Sequence, residues 1–409
     1  MQTTLDKTMT IQQVTQAWPC TLDVLVANGF DNLKDASVRA AVGRVLTLER
    51  AAGMKGYAVE TFMGLLQQRI DEVAQQADVT MKQTERATSD ISVAGLLPCP
   101  VRIPLLEGFD HFIEGYTAKT GLTVSYKLEA AAVGADWMAE HVAGLQDEAT
   151  LPDIFLSAGF DTFFDRNTIG RFKEQGIYCD ITPPAVNKDF AGLGLKDPKG
   201  DYGVLSVVAA VFMVNHDVLG DRPVPKTWAD ILEPEYAQNV ALPVGDFDLF
   251  NAILLTIHRK FGDEGIRKLG KSMLKSMHPS QMIKNAQRVA DEKPIVTIMP
   301  YFFTKMAAMV KSLEIVWPKD GAIISPIFML AKKSRQAVLQ PIGDFLAGKE
   351  VGEILAQRGL FPSLHEDVDN LLPAGTPWQW IGWDFIYSHD IPALIKHTTQ
   401  LFETSMNEA

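Results

Sequence analysis

Cysteine is scarce in this chain: Cys20, Cys99 and Cys179 are the three among 409 residues, and no two form a CxxC pair. So few thiols exclude a disulfide framework and fit a reducing compartment. Basic runs are missing too, and the formal charge is -12. A phosphate-backbone partner needs a basic surface, so no nucleic-acid partner is expected. An acidic exterior with a local basic cleft still admits small anions. No stretch of about 18 consecutive apolar residues occurs, so no membrane-inserted helix is expected. The opening MQTTLDKTMTIQQVTQAWP has no basic region followed by an apolar run, which makes a cytoplasmic location the expectation. Hydrolase signatures are also absent: there is no GxSxG elbow, no HExxH, and no close pair among the eight histidines.

What is present is ordinary globular composition, 47% hydrophobic and 22% charged, at a length that accommodates two to three domains. Residues 1–75 read as a small helical domain. In AVETFMGLLQQRIDEV the apolar Val59, Phe62, Met63, Leu66, Ile70 and Val73 recur at helical spacing. SVRAAVGRVLTLERAA gives a second stripe through Val38, Val42, Val45 and Leu46, and Asn28-Gly29 is a helix-ending pair. Residues 76–94 are polar, without a stripe, and read as a linker. From Gly95 onward, strand-like runs (LTVSYKL, PDIFLSA, GVLSVVAAVFMVN, NVALPV, PIVTIM, AIISPIFMLA) alternate with helical stretches such as LLEGFDHFIEGYTAKTG and DLFNAILLTIHRKFG. That alternation predicts an α/β sheet with helices on its faces.

Several motifs have plain structural readings. GIRKLGKS, residues 265–272, satisfies the phosphate-loop pattern GxxxxGK[ST], yet that loop works only between a buried strand and a helix. Here helix is expected on both sides, through EGIRKLGKSMLKSM, with Lys268, Lys271 and Lys275 as a solvated face. His216 reads as a turn residue, and Asp246 with Asp248 as acids opening a helix. LLPCPVRIPLLEGF, residues 96–109, stiffens a segment displaying Cys99 and Arg102 between and beside two prolines. Cys99 there is core filler, a ligand contact with Arg102 as charge anchor, or a nucleophile.

The stretches PDIFLSAGFD, VVAAVFMVNHDVLGDRPVPKTWADIL, NVALPVGDFDLFNAILL and WPKDGAIISPIFMLAKKS, in that order, resemble the type II periplasmic-binding-protein fold. The likeness is to solute-binding components of iron and small-anion ABC transporters. The first 75 residues resemble a small helical domain of unknown function found beside hybrid-cluster proteins, with GFDNLKD where relatives carry paired cysteines. The resemblance implies an α/β, two-lobed type II fold with crossing strands, preceded by a small all-α domain. Lobe one would be 95–212 and 325–409, and lobe two 213–324. It further implies a cleft whose ligand meets loops at strand ends. Those are Cys99 and Arg102; Ser157, Gly159 and Phe160; Gly245, Asp246 and Phe247; Tyr301 and Phe302; and Asp320. Ferric relatives use two adjacent tyrosines, whereas Phe302 follows Tyr301 here. A small anion is therefore the expected ligand, with a metal such as iron, or a Cys99/Arg102-dependent reaction, as alternatives. No cofactor, catalytic residue or metal ligand is assigned. The reading is a non-exported solute binder that closes its lobes for sensing, delivery or transport, with its helical domain available to a protein partner.

Overall fold

The computed structural model describes residues 5–19, 42–54, 89–97, 101–130, 147–165, 169–243, 247–276, 293–307 and 310–408, with single positions between 21 and 66 and at 142, 144 and 145. Near residue 84 the chain divides into two compact units.

The N-terminal unit is helical. α1 (Ile11–Ala17) opens on a capping box in which Thr10 and Gln13 satisfy each other's backbone amides, and it buries Ile11 and Val14. α2 (Leu48–Met54) buries Leu48, Ala51 and Ala52. Leu25, Phe30, Leu33, Leu46 and Leu66 join this core, with Val59 and Met63 packed on it. Phe62, Ile70 and Val73, together with Asn28-Gly29, lie outside the described residues, as does Val38. The second expected stripe is not one helix. The chain turns at 43–45, Val42 and Val45 are exposed, and Leu46 alone of the three described positions is buried. Gly43 weakens helix propagation there, and the Thr47 hydroxyl accepts the Arg50 amide to start α2 afresh.

Among the described residues the second unit holds eleven strands: β1 (Ile91–Leu97), β2 (Val124–Ala130), β3 (Ile154–Ala158), β4 (Tyr178–Cys179), β5 (Gly203–Asn215), β6 (Val240–Leu242), β7 (Met273–Ser276), β8 (Val296–Pro300), β9 (Leu313–Val316), β10 (Ala322–Lys332) and β11 (Trp378–Gln379). The helices that matter for the site are α3 (Arg102–Thr120), α4 (Phe247–Ser272), α5 (Gln336–Leu346) and α6 (Ile391–Asn407). β1 begins inside the segment expected as linker, because the apolar run ISVAGLL takes over from the polar stretch at Ile91.

Strand order is β2-β1-β3-β10-β5-β8-β6-β7. β2, β1 and β3 pair in parallel, as do β8, β6 and β7. Between these parallel halves run β10 and β5, antiparallel to each other and to their outer neighbours. Every residue of β5 and of β10 is buried, which explains why both read as unbroken apolar runs rather than alternating ones. β5 pairs with β10 from Gly203 to Ala210 and with β8 from Ala210 to Val214, so this one strand passes from one lobe to the other. The result is a two-lobed α/β fold with crossing strands, preceded in sequence by an all-α domain.

Two boundaries differ from expectation. The segment after GIRKLGKS is not helix: α4 stops at Ser272 and Met273–Ser276 pairs in parallel with β6. The phosphate-loop lookalike itself is helical, with Lys268 and Lys271 exposed. The C-terminal helix, expected in lobe one, packs on α4 of lobe two: Phe402 is fully buried with its ring centroid 5.3 Å from that of Phe250. α4 has an apolar face beyond what its own sheet covers, and α6 supplies the matching face. Asp390 caps α6 by accepting the Ala393 amide, and Pro392 suits its first turn.

Candidate functional site

The gap between the lobes is set by register along β5. On one edge Val207 donates to the carbonyl of Pro362 in lobe one, while Ala210 is the partner of Pro300, which ends β8 in lobe two. Three residues of strand, about 10 Å, therefore separate the lobe walls here. Tyr301, Phe302 and Phe303 turn away from the end of β8 and reach across. The Phe302 ring lies 4.9 Å from that of Phe361, centroid to centroid. Lys305, in the short helix Thr304–Ala307, donates from Nζ to the carbonyls of Gln357 and Arg358, each at 3.1 Å. Those carbonyls end a π-helical turn, Ile354–Arg358, and a cation suits such a terminus.

The start of α3 belongs to the same wall. A Cβ built on Gly359 would lie 2.5 Å from Phe361 Cδ2 and 2.6 Å from Val101 Cγ1, so the backbone at 359 presses against the residue preceding Arg102. α3 runs nineteen residues, has no side-chain cap on its first amides and no acid in its first turn. Pro104 removes one donor from the first turn, leaving the amides of Arg102 and Ile103 at a helix head that opens on an arginine and carries no acid, a setting that favours negative charge.

On the other side of the ribbon, lobe one meets lobe two at Gly159. Its amide donates to the Pro326 carbonyl of β10, and its φ of +78° is open to glycine at little cost. A Cβ at Gly159 would fall 2.6 Å from Asp248 Oδ1 and 2.9 Å from Asp248 Cα. The loop after β3 thus touches the first turn of α4 directly, and no side chain fits between them.

Of the residues expected to contact ligand, Cys99, Gly245 and Asp246 lie outside the described residues. Arg102 opens α3 and Phe247 opens α4, at the heads of two helices on opposite lobes. Gly159, Tyr301 and Phe302 come to the lobe junctions. Tyr301 packs edge-on to Trp317, centroids 5.2 Å apart, and burial raises its hydroxyl pKa above the ordinary phenol value. Ser157 is buried opposite Phe328 in the β3–β10 pairing. Phe160 is fully buried among Phe164, Phe328 and Trp380, which makes it lobe-one core. Asp320 does not join the cluster. It receives the Trp228 amide and Lys260 Nζ, the latter at 2.7 Å, and lies six residues of chain, about 20 Å if extended, from Pro326 beside Gly159.

Sequence reasoning passed over Lys305, Phe361, and two serines on the crossing strands. Ser206 and Ser325 are fully buried, and their hydroxyls have no hydrogen-bond partner among the described residues. Ser206 sits opposite Ile327 and Ser325 opposite Val208, so the two hydroxyls share one face of the ribbon. Buried hydroxyls without partners are costly and rare, and a polar solute is one thing that satisfies them. Only strand register brings them together, which no local motif announces.

Two half-sheets, a pair of crossing strands and loops meeting across the gap define a solute-binding protein of the two-lobed type. Residues 149–389 match the family described as bacterial extracellular solute-binding protein, more than half of the chain, and the protein belongs to that family. Residues 5–63 match a domain of unknown function, DUF1858. The spermidine/putrescine-binding periplasmic protein of Salmonella typhimurium is 26% identical over 203 residues, 46% of this chain and 54% of that one. The match thus spans about half the length of this relative. Among solved structures, the apo ferric ion-binding protein A of Pasteurella haemolytica aligns with a TM-score of 0.53 at 15% identity, covering 77% of this chain and 99% of its own. An ABC transporter structure from Clostridium perfringens aligns at 0.54 and 13% identity, covering 78% and 100%. At such identities the likeness establishes the fold.

Proposed function

We propose that the α/β unit binds a small anionic solute between its lobes and closes on it, as the binding component of an ABC-type transport, delivery or sensing system. The observation that carries this reading is the head of α3: Arg102 as its first residue, no side-chain cap and no acid in the first turn, with the preceding Val101 set against the wall formed by Gly359 and Phe361. Phe302 and Phe361 supply apolar closure, and the unpartnered hydroxyls of Ser206 and Ser325 supply hydrogen-bonding capacity in the strands beneath.

Iron(III) fits less well. It favours several anionic oxygen ligands, and Phe302 follows Tyr301 where the resemblance to ferric binders implies a second tyrosine. A polyamine, after which the Salmonella relative is named, would look for carboxylates, and Asp248 at the lobe junction is the one to test.

The experiment is a thermal-shift screen of the full chain against small carboxylates and oxyanions, spermidine, putrescine and ferric citrate, followed by calorimetry on any hit. An anion that raises the melting temperature supports the reading. In Arg102→Ala its affinity should fall at least tenfold, about 1.5 kcal/mol, the lower range for a charged hydrogen bond. Unchanged affinity in that folded variant, or a shift with spermidine alone that Asp248→Asn abolishes, overturns it.

The cytoplasmic reading rests on cysteine usage, whereas the matched family is described as extracellular. Osmotic-shock fractionation of cells expressing the native gene should retain the protein with the cytoplasm. Its release with the periplasmic fraction would discard that reading.

A further inference from the structure

We propose that His258, Asp263 and His397 form a binding site for a divalent cation of the zinc class, on the face of lobe two where α4 meets the C-terminal helix α6. The three residues are brought together by a break in α4. At Gly262 the backbone takes φ +63° and ψ -164°, a region essentially reserved for glycine, in the middle of an otherwise helical run. In an unbroken helix, residues five apart point about 140° away from each other. The break turns Asp263 back towards His258, so that Oδ1 of Asp263 lies 3.2 Å from His258 Nε2. The same oxygen lies 2.9 Å from Nε2 of His397, which arrives from α6. All three ligating atoms lie within 4.8 Å of one another.

The two nitrogen-to-oxygen spacings are close to what a tetrahedral ion requires. Bonds of about 2.0–2.2 Å to imidazole nitrogen and carboxylate oxygen put adjacent ligand atoms about 3.3–3.5 Å apart. The observed nitrogen-to-oxygen distances need to open by only a few tenths of an ångström. Two imidazoles and one carboxylate leave at least one position for water, and the set suits borderline divalent ions better than calcium or magnesium, which prefer all-oxygen shells. His258 is the inner ligand, His397 and Asp263 the more exposed ones, so an ion could enter from solvent. Arg267 is the cation facing the Asp263 carboxylate, and Glu264 lies 3.9 Å from it as a partner.

The site is separate from the interlobe gap. His258 is eleven residues along α4 from Phe247 at the gap end, about 16 Å. Its effect would be to staple α6 to lobe two, since one ligand comes from each side of the helix break and the third from α6.

The test uses the full chain, stripped with a chelator and dialysed, and titrated with zinc chloride in competition with a chromogenic chelator at neutral pH. One zinc per chain is expected, together with a rise in melting temperature. Asp263→Asn and His397→Gln should each weaken zinc at least tenfold and remove the melting shift. Arg102→Ala should leave zinc binding intact, which separates this site from the solute site. Circular dichroism of the metal-free variants checks that they fold, and His258→Gln serves if either does not. The proposal is overturned if zinc does not bind stoichiometrically, or if it binds equally well to both variants.

Discussion

Asp153 precedes β3 and is 5% exposed, yet its charge is fully engaged. Arg335 Nη1 lies 2.8 Å from Oδ2 and Lys332 Nζ 3.3 Å from Oδ1, while the Ser92 amide donates to Oδ2 at 2.9 Å. One carboxylate therefore ties β1, β3 and the end of β10. Asp153→Ala would strand Lys332, itself 7% exposed, as a buried cation without a partner. Removal of one member of a buried pair costs about 3–5 kcal/mol, and urea denaturation should show a loss of that order. Asp153→Asn keeps a hydrogen-bond acceptor and should lose less. None of this was legible in the sequence, where LPDIFLSAGF showed a strand but not which cations would meet its aspartate across nearly 180 residues. The same holds for Gly159, expected as a ligand contact, where nothing in the sequence announces that Asp248 is what makes glycine necessary.

At the scale of elements, hydrophobic period did most of the reading. GVLSVVAAVFMVN is β5 residue for residue, because a strand buried on both faces leaves an unbroken apolar run bounded by polar turns. Failures came where tertiary contact outweighed local pattern. Met273–Ser276 continues a helical sequence yet pairs with β6, and α6 crosses to lobe two because α4 offers it an apolar face. The Lys305 contact is the element-level device of the gap, since a lobe-two helix there holds two lobe-one carbonyls. Lys305→Ala should loosen the contact between the two lobes. Small-angle scattering of the ligand-free variant should then give a larger radius of gyration than the parent, and an unchanged radius would remove the latch from the account.

For the whole molecule, buried phenols set the alkaline limit. Burial raises the pKa of Tyr236 from 10.0 to about 12, and raises those of Tyr126, Tyr178 and Tyr202 as well; burial followed by the hydrogen bond to Asp197 raises that of Tyr387. Above pH 10 the unfolded chain loses these protons while the folded one keeps them, so stability falls as pH rises through that range. Lys173 works in the other direction. Burial lowers its pKa from 10.5 to about 8, despite Asp201 and Asp197 nearby. Between those values the unfolded chain holds the extra proton, so stability rises with pH. Melting temperature measured against pH should therefore peak between about 8 and 10 and fall beyond. A curve still rising at pH 11 would contradict the burial of these phenols.

The sequence by itself determined the two-unit organisation, the succession of strands and helices after residue 90, and the class of fold, because apolar period and turn residues are local and follow from the chain alone. The loops at strand ends proposed to hold a solute were chosen by their order along the fold that the sequence resembles. Only tertiary structure decided which of those loops meet: Gly159 with Asp248, Phe302 with Phe361, Lys305 with the carbonyls of 357 and 358. Those pairings depend on strand register and on where β5 changes partners, and a one-residue slip would send every side chain to the opposite face. The cluster of His258, Asp263 and His397 belongs to the same category. Its members lie up to 139 positions apart in the sequence, and a single glycine conformation with one helix crossing brings them within reach of one ion.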